Sequence, residues 1–390
     1  MFTKEKLYII LSVLLTLPWI ISLVFSIHYE PYVVAFLSGL AVVSASFLLS
    51  WAAETAELDI PRSLSLAIVA LIAVLPEYAV DVYLAYTAGK NPEYVHYATA
   101  NMTGANRLLI GIGWSIIILY TTLKTGRKTV HIDEDLRLEI SFLALATFYS
   151  FIIPIKGSIS LADSAVLIVL YLSYIYLSIK SPHREIELTG VPKYLSKFRH
   201  RTALIAIFFI FSAFVILVSV ESFVNGLIET ASMFKISPFV MVQWVAPIAS
   251  ESPELIVAFY LVRKLRTSAG LNTLISSKIN QWTLLIGSLA IVYSISLMSP
   301  ASIPLDTRQR EEIFLTAAQS LFGLAIILDL KVSRLEGLLL LILFLIQLII
   351  PSFEVRLIVS MMYITLALPI IVKKRKCFSK SFNYVVELLS

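Results

Sequence analysis

The amino-acid sequence predicts an all-α polytopic membrane protein with about twelve transmembrane helices, ten of which form a 5+5 inverted-repeat core. Of the 390 residues, 58% are hydrophobic and only 15% are charged, and the mean hydropathy is +0.86. No polar stretch is long enough to form a separate soluble domain. Two long stretches also resemble each other, which indicates an internal repeat.

The individual helices follow from apolar windows of about 17 to 25 residues, the length needed to cross a bilayer. The predicted segments are 7–27, 31–51, 63–88, 96–123, 139–155, 158–179, 202–227, 237–262, 269–298, 311–330, 335–350 and 355–372.

The distribution of Lys and Arg predicts the orientation of these segments. With the N-terminus inside, most of the 31 basic residues fall in cytoplasmic segments. We therefore expect a multi-pass protein of the cytoplasmic membrane with both termini inside and a basic tail anchored to lipid. The topology accounts for the net charge of +5, so a nucleic-acid partner is not expected. The single cysteine, Cys377, excludes disulfides within one chain.

The internal repeat is centred on two similar helices, "LIAVLPEYAVDVYLAY" at 71–86 and "APIASESPELIVAFYL" at 246–261. Each is followed by a helix rich in small polar residues, "YATANMTGANRLLIGIG" at 97–113 and "LNTLISSKINQWTLLIG" at 271–287. An odd number of helices per repeat inverts the second copy, an arrangement typical of transporters, whose sites lie where interrupted helices meet at mid-bilayer. The predicted organisation is 1–30, a peripheral helix; 31–180, the first repeat; 181–201, a cytoplasmic linker; 202–350, the second repeat; and 351–390, a peripheral helix with a basic tail.

Each repeat places a proline directly before a glutamate near the middle of a predicted helix, at Glu77 and Glu254. Proline frees the backbone carbonyl about four residues earlier, which predicts an interrupted helix. A carbonyl beside a carboxylate provides the oxygen ligands that hard cations prefer, and an acid at mid-bilayer is functional by default. Asp81 and Glu251 share the helix faces of these glutamates, and we expect them to lie closer to water.

Other polar side chains complete the predicted site. Neutral oxygens on or beside the same helices come from Ser250, Asn101, Asn106, Asn280 and Gln281. Arg107 and Lys278, one in each following helix, are predicted internal counter-ions to the acids, with a structural bridge between helices as the alternative.

These motifs resemble the two alpha repeats of the calcium/cation antiporter superfamily, which includes sodium/calcium exchangers. The resemblance implies ten core helices, a cluster of calcium and sodium positions, Glu77 and Glu254 as central metal ligands, and exchange by alternating access. The sequence departs from the family pattern of Gly-Thr-Ser-Leu-Pro-Glu, because the first copy reads Ala-Val-Leu-Pro-Glu at 73–77. Gln281 stands where the family carries Asn or Asp, so this chain looks like a divergent branch.

The leading hypothesis is a secondary antiporter, not an enzyme, that exchanges calcium or sodium for sodium or protons and needs no cofactor. Its expected partners are the lipid bilayer and small inorganic cations. Two alternatives stay open, a cation channel or leak pathway and a membrane-embedded acid/base enzyme that acts on lipid. Uncoupled flux would favour the first alternative, and lipid turnover that depends on Glu77 would favour the second.

Overall fold

The protein is described by a computed structural model over residues 3–59, 74–181 and 188–389, and it is almost entirely helical. The helices are α1 Lys4–Val24, α2 Pro31–Ala56, α3 Leu75–Ala88, α4 Tyr94–Leu108, α5 Ser115–Thr125, α6 Arg137–Ser150, α7 Ile152–Lys156, α8 Leu161–Lys180, α9 Gly190–Leu195, α10 Arg201–Met233, α11 Pro238–Arg263, α12 Thr267–Asn280, α13 Ile286–Leu297, α14 Thr307–Ile327, α15 Arg334–Ile349, α16 Phe353–Lys373 and α17 Arg375–Leu389. The strands are β1 Thr129–His131, β2 Ser158–Ile159, β3 Ile303–Pro304 and β4 Lys331–Ser333. A 3₁₀ turn covers Glu134–Leu136.

Each predicted apolar segment contains a helix of the described chain. Within the described residues, nine helical stretches are long and apolar enough to cross a membrane. Three further helices, α3, α14 and α15, lie in the remaining predicted segments. Residues 63–73 of the third predicted segment lie outside the described residues. The helical membrane fold is therefore confirmed, while the count of twelve spans stays a prediction.

One compact unit comprises the described parts of Met1–Tyr83 and Pro182–Pro253. Inside it, α2 and α10 pack along much of their length, and α1 lies against α2. Gly226 of α10 permits a close approach of the two backbones, because a Cβ atom there would lie 2.8 Å from the backbone nitrogen of Ala35. At the other end of this pair, an apolar cluster of α2, α9 and α10 includes Leu48, Leu195 and Phe208.

The second compact unit comprises Leu84–Ser181 and the described part of Glu254–Ser390. Two small antiparallel sheets, β1 with β4 and β2 with β3, each join a strand of the first repeat to a strand of the second. Helices α8 and α15 follow β2 and β4 and begin with the same device, a capping box. Ser160 with Asp163 caps the first, and Ser333 with Glu336 caps the second. Each pair satisfies backbone N–H groups that the first helical turn leaves without partners. Both helices are the last of their predicted repeats, and a further capping box, Asp306 with Gln309, begins α14.

Candidate functional site

The acids of the first Pro-Glu motif lie at the start of α3. This helix begins at Leu75, so Pro76 occupies the first turn, where a missing N–H costs little. Glu77 is 2% exposed and Asp81, one turn later on the same helix face, is 1% exposed. The expectation that Asp81 lies near water is wrong. Both carboxylates are enclosed by protein, where a charge is costly unless it has a compensating partner.

The second Pro-Glu motif lies inside a continuous helix, so the predicted interruption at this position is wrong. Helix α11 continues from Pro238 to Arg263 with Pro247 and Pro253 inside it. The hydroxyl of Ser250 donates to the carbonyl oxygen of Ala246 at 3.3 Å. A proline inside a helix can bend it without ending it, and here the helix continues past Pro253.

The acids of this helix differ in their exposure. Glu251 is 2% exposed, whereas Glu254 is only partly buried. The expectation that Glu251 lies nearer to water than Glu254 is therefore wrong. The reason is that Glu251 sits on the buried face of α11, on which Ser250 and Pro253 are also buried.

The helix after each Pro-Glu motif contains a π-helical turn at a matching place. One turn covers Leu109–Trp114 after α4, and the other covers Gln281–Leu285 after α12. A π turn inserts an extra residue into the helix and changes which face its side chains occupy, and such turns are frequent at functional sites. Every polar residue predicted on these helices is buried in the structure: Asn101, Asn106, Arg107, Lys278, Asn280 and Gln281.

Lys278 and Asn106 connect the two helices that follow the Pro-Glu motifs, α12 and α4, within the second compact unit. The Lys278 ammonium donates to the Asn106 amide oxygen at 2.7 Å and lies 4.2 Å from the centre of the Trp282 ring. The amide nitrogen of Asn106 donates to the carbonyl of Met102 at 2.8 Å. These contacts fix both ends of the Asn106 amide, so Lys278 has a positioning role in addition to its charge.

Asn280 and Gln281 use their amide nitrogens in local contacts. The Asn280 nitrogen donates to the hydroxyl of Tyr171 at 3.1 Å, and the Gln281 nitrogen donates to the hydroxyl of Ser277 at 3.5 Å. In both contacts the amide nitrogen is the donor.

Arg107 forms an ion pair with an acid that is not among the predicted site residues. Its Nη2 atom lies 2.6 Å from Oε2 of Glu312, and both side chains are 1% exposed. The Nη1 atom donates to the amide oxygen of Gln347 at 2.9 Å. Beside this pair, Arg356 contacts both carboxylate oxygens of Glu311, at 2.8 and 3.2 Å. We refer to Arg107, Glu311, Glu312 and Arg356 together as the buried ion network.

Sequence signals for the buried ion network exist. Glu311 and Glu312 are adjacent acids at the start of a predicted span, and intramembrane acids have partners by rule. Arg356 falls at the start of the predicted segment 355–372, and it lies buried in the first turn of α16. The sequence gives no indication which distant cation faces which acid, because these pairs join helices far apart along the chain.

Among the residues that the structure describes, no group of three or more His, Cys, Asp or Glu side chains is placed to hold a metal ion.

The sequence profile of the sodium/calcium exchanger protein family matches residues 31–180 and 204–353. The chain therefore belongs to this family of membrane proteins, and the predicted resemblance is confirmed. No curated protein matches the sequence at a significant level.

Solved structures agree with this assignment. The chain is similar to the structure described as that of the H+/Ca2+ exchanger CAX, with 57% sequence identity, a TM-score of 0.96 and 99% of both chains covered. It also resembles the Ca2+/H+ antiporter protein YfkE, with 15% identity and a TM-score of 0.64 over 92% of this chain and 99% of that one. A structure of the sodium-calcium exchanger NCX_Mj is 21% identical, with a TM-score of 0.55 over 82% and 98% of the two chains. The last two likenesses concern the fold alone.

Proposed function

We propose that this protein is a secondary antiporter that exchanges calcium ions for protons across the cytoplasmic membrane by alternating access. One observation carries the proposal, namely the 57% identity to the H+/Ca2+ exchanger CAX over 99% of both chains. At this identity and a TM-score of 0.96, the likeness extends well beyond the general helical architecture.

The chemistry of the predicted site supports the same ion pair. Carboxylate, amide and hydroxyl oxygens are the ligands that a hard cation such as calcium prefers. Glu77 and Glu254 are the proposed central ligands, with Asp81, Glu251 and Ser250 beside them. Carboxylates enclosed by protein must release their protons before they bind a metal ion. One set of carboxylates can therefore serve calcium and protons in turn, which is the basis of exchange.

The helices that follow the two Pro-Glu motifs supply the remaining proposed groups. Asn101, Asn280 and Gln281 provide neutral oxygens, and Asn106, whose oxygen accepts from Lys278 in this structure, is the fourth proposed ligand. Arg107 and Lys278 provide fixed positive charge. Because Arg107 is compensated by Glu312, we assign its role to the support of α4, and Lys278 is the cation that positions Asn106.

The test is ion flux into proteoliposomes that contain the purified protein. Calcium uptake is measured with an outward proton gradient, with an outward sodium gradient and with neither, while valinomycin and potassium hold the voltage at zero. We expect calcium uptake with the proton gradient and matching proton movement in the opposite direction. Uptake that follows the calcium gradient alone, without proton movement, would instead indicate a channel, and uptake driven only by sodium would replace the proton as the coupling ion.

No observation favours a membrane-embedded enzyme or a channel over exchange, and the family consists of proteins named as exchangers. We further propose that both termini are cytoplasmic, because the basic residues concentrate on that side of the predicted topology.

A further inference from the structure

The chain continues beyond its last predicted span as a helix with an unusual distribution of side chains. Helix α16 ends at Lys373, and α17 follows directly at Arg375–Leu389. The basic residues of this junction and helix are Lys373, Lys374, Arg375, Lys376 and Lys380, against the single acid Glu387. With 15 residues, α17 is too short to cross a bilayer.

One face of α17 packs against other helices of the second compact unit. The helix packs on α6 and on α8, and Ser381 is buried in that contact. The hydroxyl of Tyr384 lies 3.0 Å from that of Ser181. At the junction, the Lys374 ammonium lies 2.8 Å from a carboxylate oxygen of Asp329 and donates to the carbonyl of Ile326 at 3.0 Å. Lys374 is thus used to hold the helix in place.

A second face of α17 is apolar and exposed. Val386 is 63% exposed and Leu389 is 58% exposed, and both share a helix face with Phe382. The rings of Phe382 and Phe378 lie 5.0 Å apart, and Phe378 contacts Phe148 of α6 with ring centres 6.3 Å apart. Phe148 is itself exposed on a helical stretch long and apolar enough to span the membrane. The apolar face of α17 therefore continues the apolar outer surface of α6.

The exposed charges lie on a third face, where Glu387 accompanies Lys376 and Lys380, and at the junction with α16, where Arg375 begins the helix. Arg375, Lys376 and Lys380 are all exposed, as is Lys373 at the end of α16. A helix with one apolar face beside a basic face, placed directly after a membrane span, has the character of an interfacial helix. Clusters of four or more Lys and Arg at this position attract anionic phospholipids. Because the apolar face adjoins the lipid-facing surface of α6, a lipid is the occupant that satisfies both faces together.

We infer that α17 lies in the membrane interface and that Lys373, Arg375, Lys376 and Lys380 bind the head groups of anionic phospholipids. Phe382, Val386 and Leu389 would contact the upper acyl chains. Phosphate groups accept hydrogen bonds from Lys and Arg, and the apolar strip requires the hydrocarbon that a free phosphate lacks. This inference concerns lipid binding and is independent of the transported ions.

The test is lipid binding by the purified full chain in mild detergent, measured by titration with fluorescent phosphatidylglycerol and, separately, phosphatidylcholine. We expect phosphatidylglycerol to bind more tightly, with an affinity that falls as salt concentration rises. The triple variant R375Q/K376Q/K380Q should weaken this binding roughly 100-fold at low salt, because each exposed charge contributes roughly 5-fold. The control variant R127Q/K128Q/K331Q removes the same number of exposed charges around β1 and β4 and should retain wild-type affinity.

Two further arms distinguish the sources of the phosphate group. Inorganic phosphate and glycerophosphoglycerol, which lack acyl chains, should not displace the lipid at millimolar concentrations. The variant V386D/L389D should lower phosphatidylglycerol affinity while all basic residues remain. The inference is overturned if the two triple variants behave alike, if phosphatidylcholine binds equally well, or if the free anions compete as effectively as the lipid.

Discussion

The Arg107–Glu312 pair provides a prediction whose magnitude follows directly from the geometry. The substitution Glu312→Gln removes the negative charge 2.6 Å from a guanidinium whose side chain is 1% exposed. Loss of one partner leaves the other as an uncompensated buried charge, which typically costs about 3–5 kcal/mol. Arg356 Nε also lies 3.6 Å from Oε1 of Glu312, but Arg356 keeps its two closer contacts with Glu311, so Arg107 is the cation that the substitution affects most. We expect Glu312→Gln to destabilise the protein by about 3 kcal/mol or more.

Unfolding of the purified protein in mixed micelles, followed by tryptophan fluorescence over a denaturing detergent series, measures this loss. The matched control is Glu134→Gln, which breaks an ion pair with Arg137 in which the carboxylate side chain is 76% exposed. Exposed pairs contribute about 0–1 kcal/mol. The double variant R107M/E312M should cost less than the sum of its single variants, because both charges leave together. A cost for Glu312→Gln as small as that of the control, or strict additivity in the double variant, would refute the reasoning.

Three further predictions concern packing, pH and the lysine contact. Gly226→Ala should destabilise the protein by about 1–3 kcal/mol, because the new Cβ would lie 2.8 Å from the backbone nitrogen of Ala35. Thermal unfolding measures this loss of stability. Burial raises the pKa of Glu57 from 4.5 to about 7, so stability should fall as pH rises from 4.5 to about 7, and Glu57→Gln should flatten this slope in unfolding curves. Lys278→Met should cost about 1–3 kcal/mol in unfolding experiments, since it removes the charged donor to Asn106.

Each of these predictions has a control or an opposing result. Ser232→Ala, at an exposed position of α10, should change stability far less than Gly226→Ala, and equal effects would argue against close helix packing. An unchanged pH slope in Glu57→Gln would place the titrating group elsewhere. Lys278→Arg keeps the charge and a donor, so a loss in Lys278→Met that Lys278→Arg does not reduce would argue against the hydrogen bond as its cause.

The spans could be predicted from the sequence because hydrophobic length is a local property. The predicted segment 202–227 corresponds to α10, Arg201–Met233, and 355–372 corresponds to α16, Phe353–Lys373. The end of α10 extends past the prediction since Glu229 lowers the hydropathy without ending the helix. The basic tail is predicted as an anchor, whereas its packing against α6 and α8 joins distant segments and cannot be predicted from a local pattern.

The candidate site was predictable in its residue types and less so in its contacts. Burial of Glu77 and of Lys278 follows from acids and bases inside apolar segments. The partner of Arg107 could not be predicted, because Glu312 lies in a distant segment. The acids of the Pro-Glu motifs are closer along the chain and are the partners that the sequence suggests. The continuity of α11 through Pro253 could not be predicted either, because a proline inside a helix can kink the helix or end it.

Calcium uptake by Glu77→Gln in proteoliposomes with an imposed proton gradient tests the proposed exchange most directly. The substitution keeps the size and hydrogen-bonding shape of the side chain and removes the proton-releasing carboxylate that calcium is proposed to replace. We predict that Glu77→Gln abolishes calcium uptake while Glu134→Gln retains it, with both variants folded. Proton-driven calcium uptake at the wild-type rate in Glu77→Gln would contradict the account.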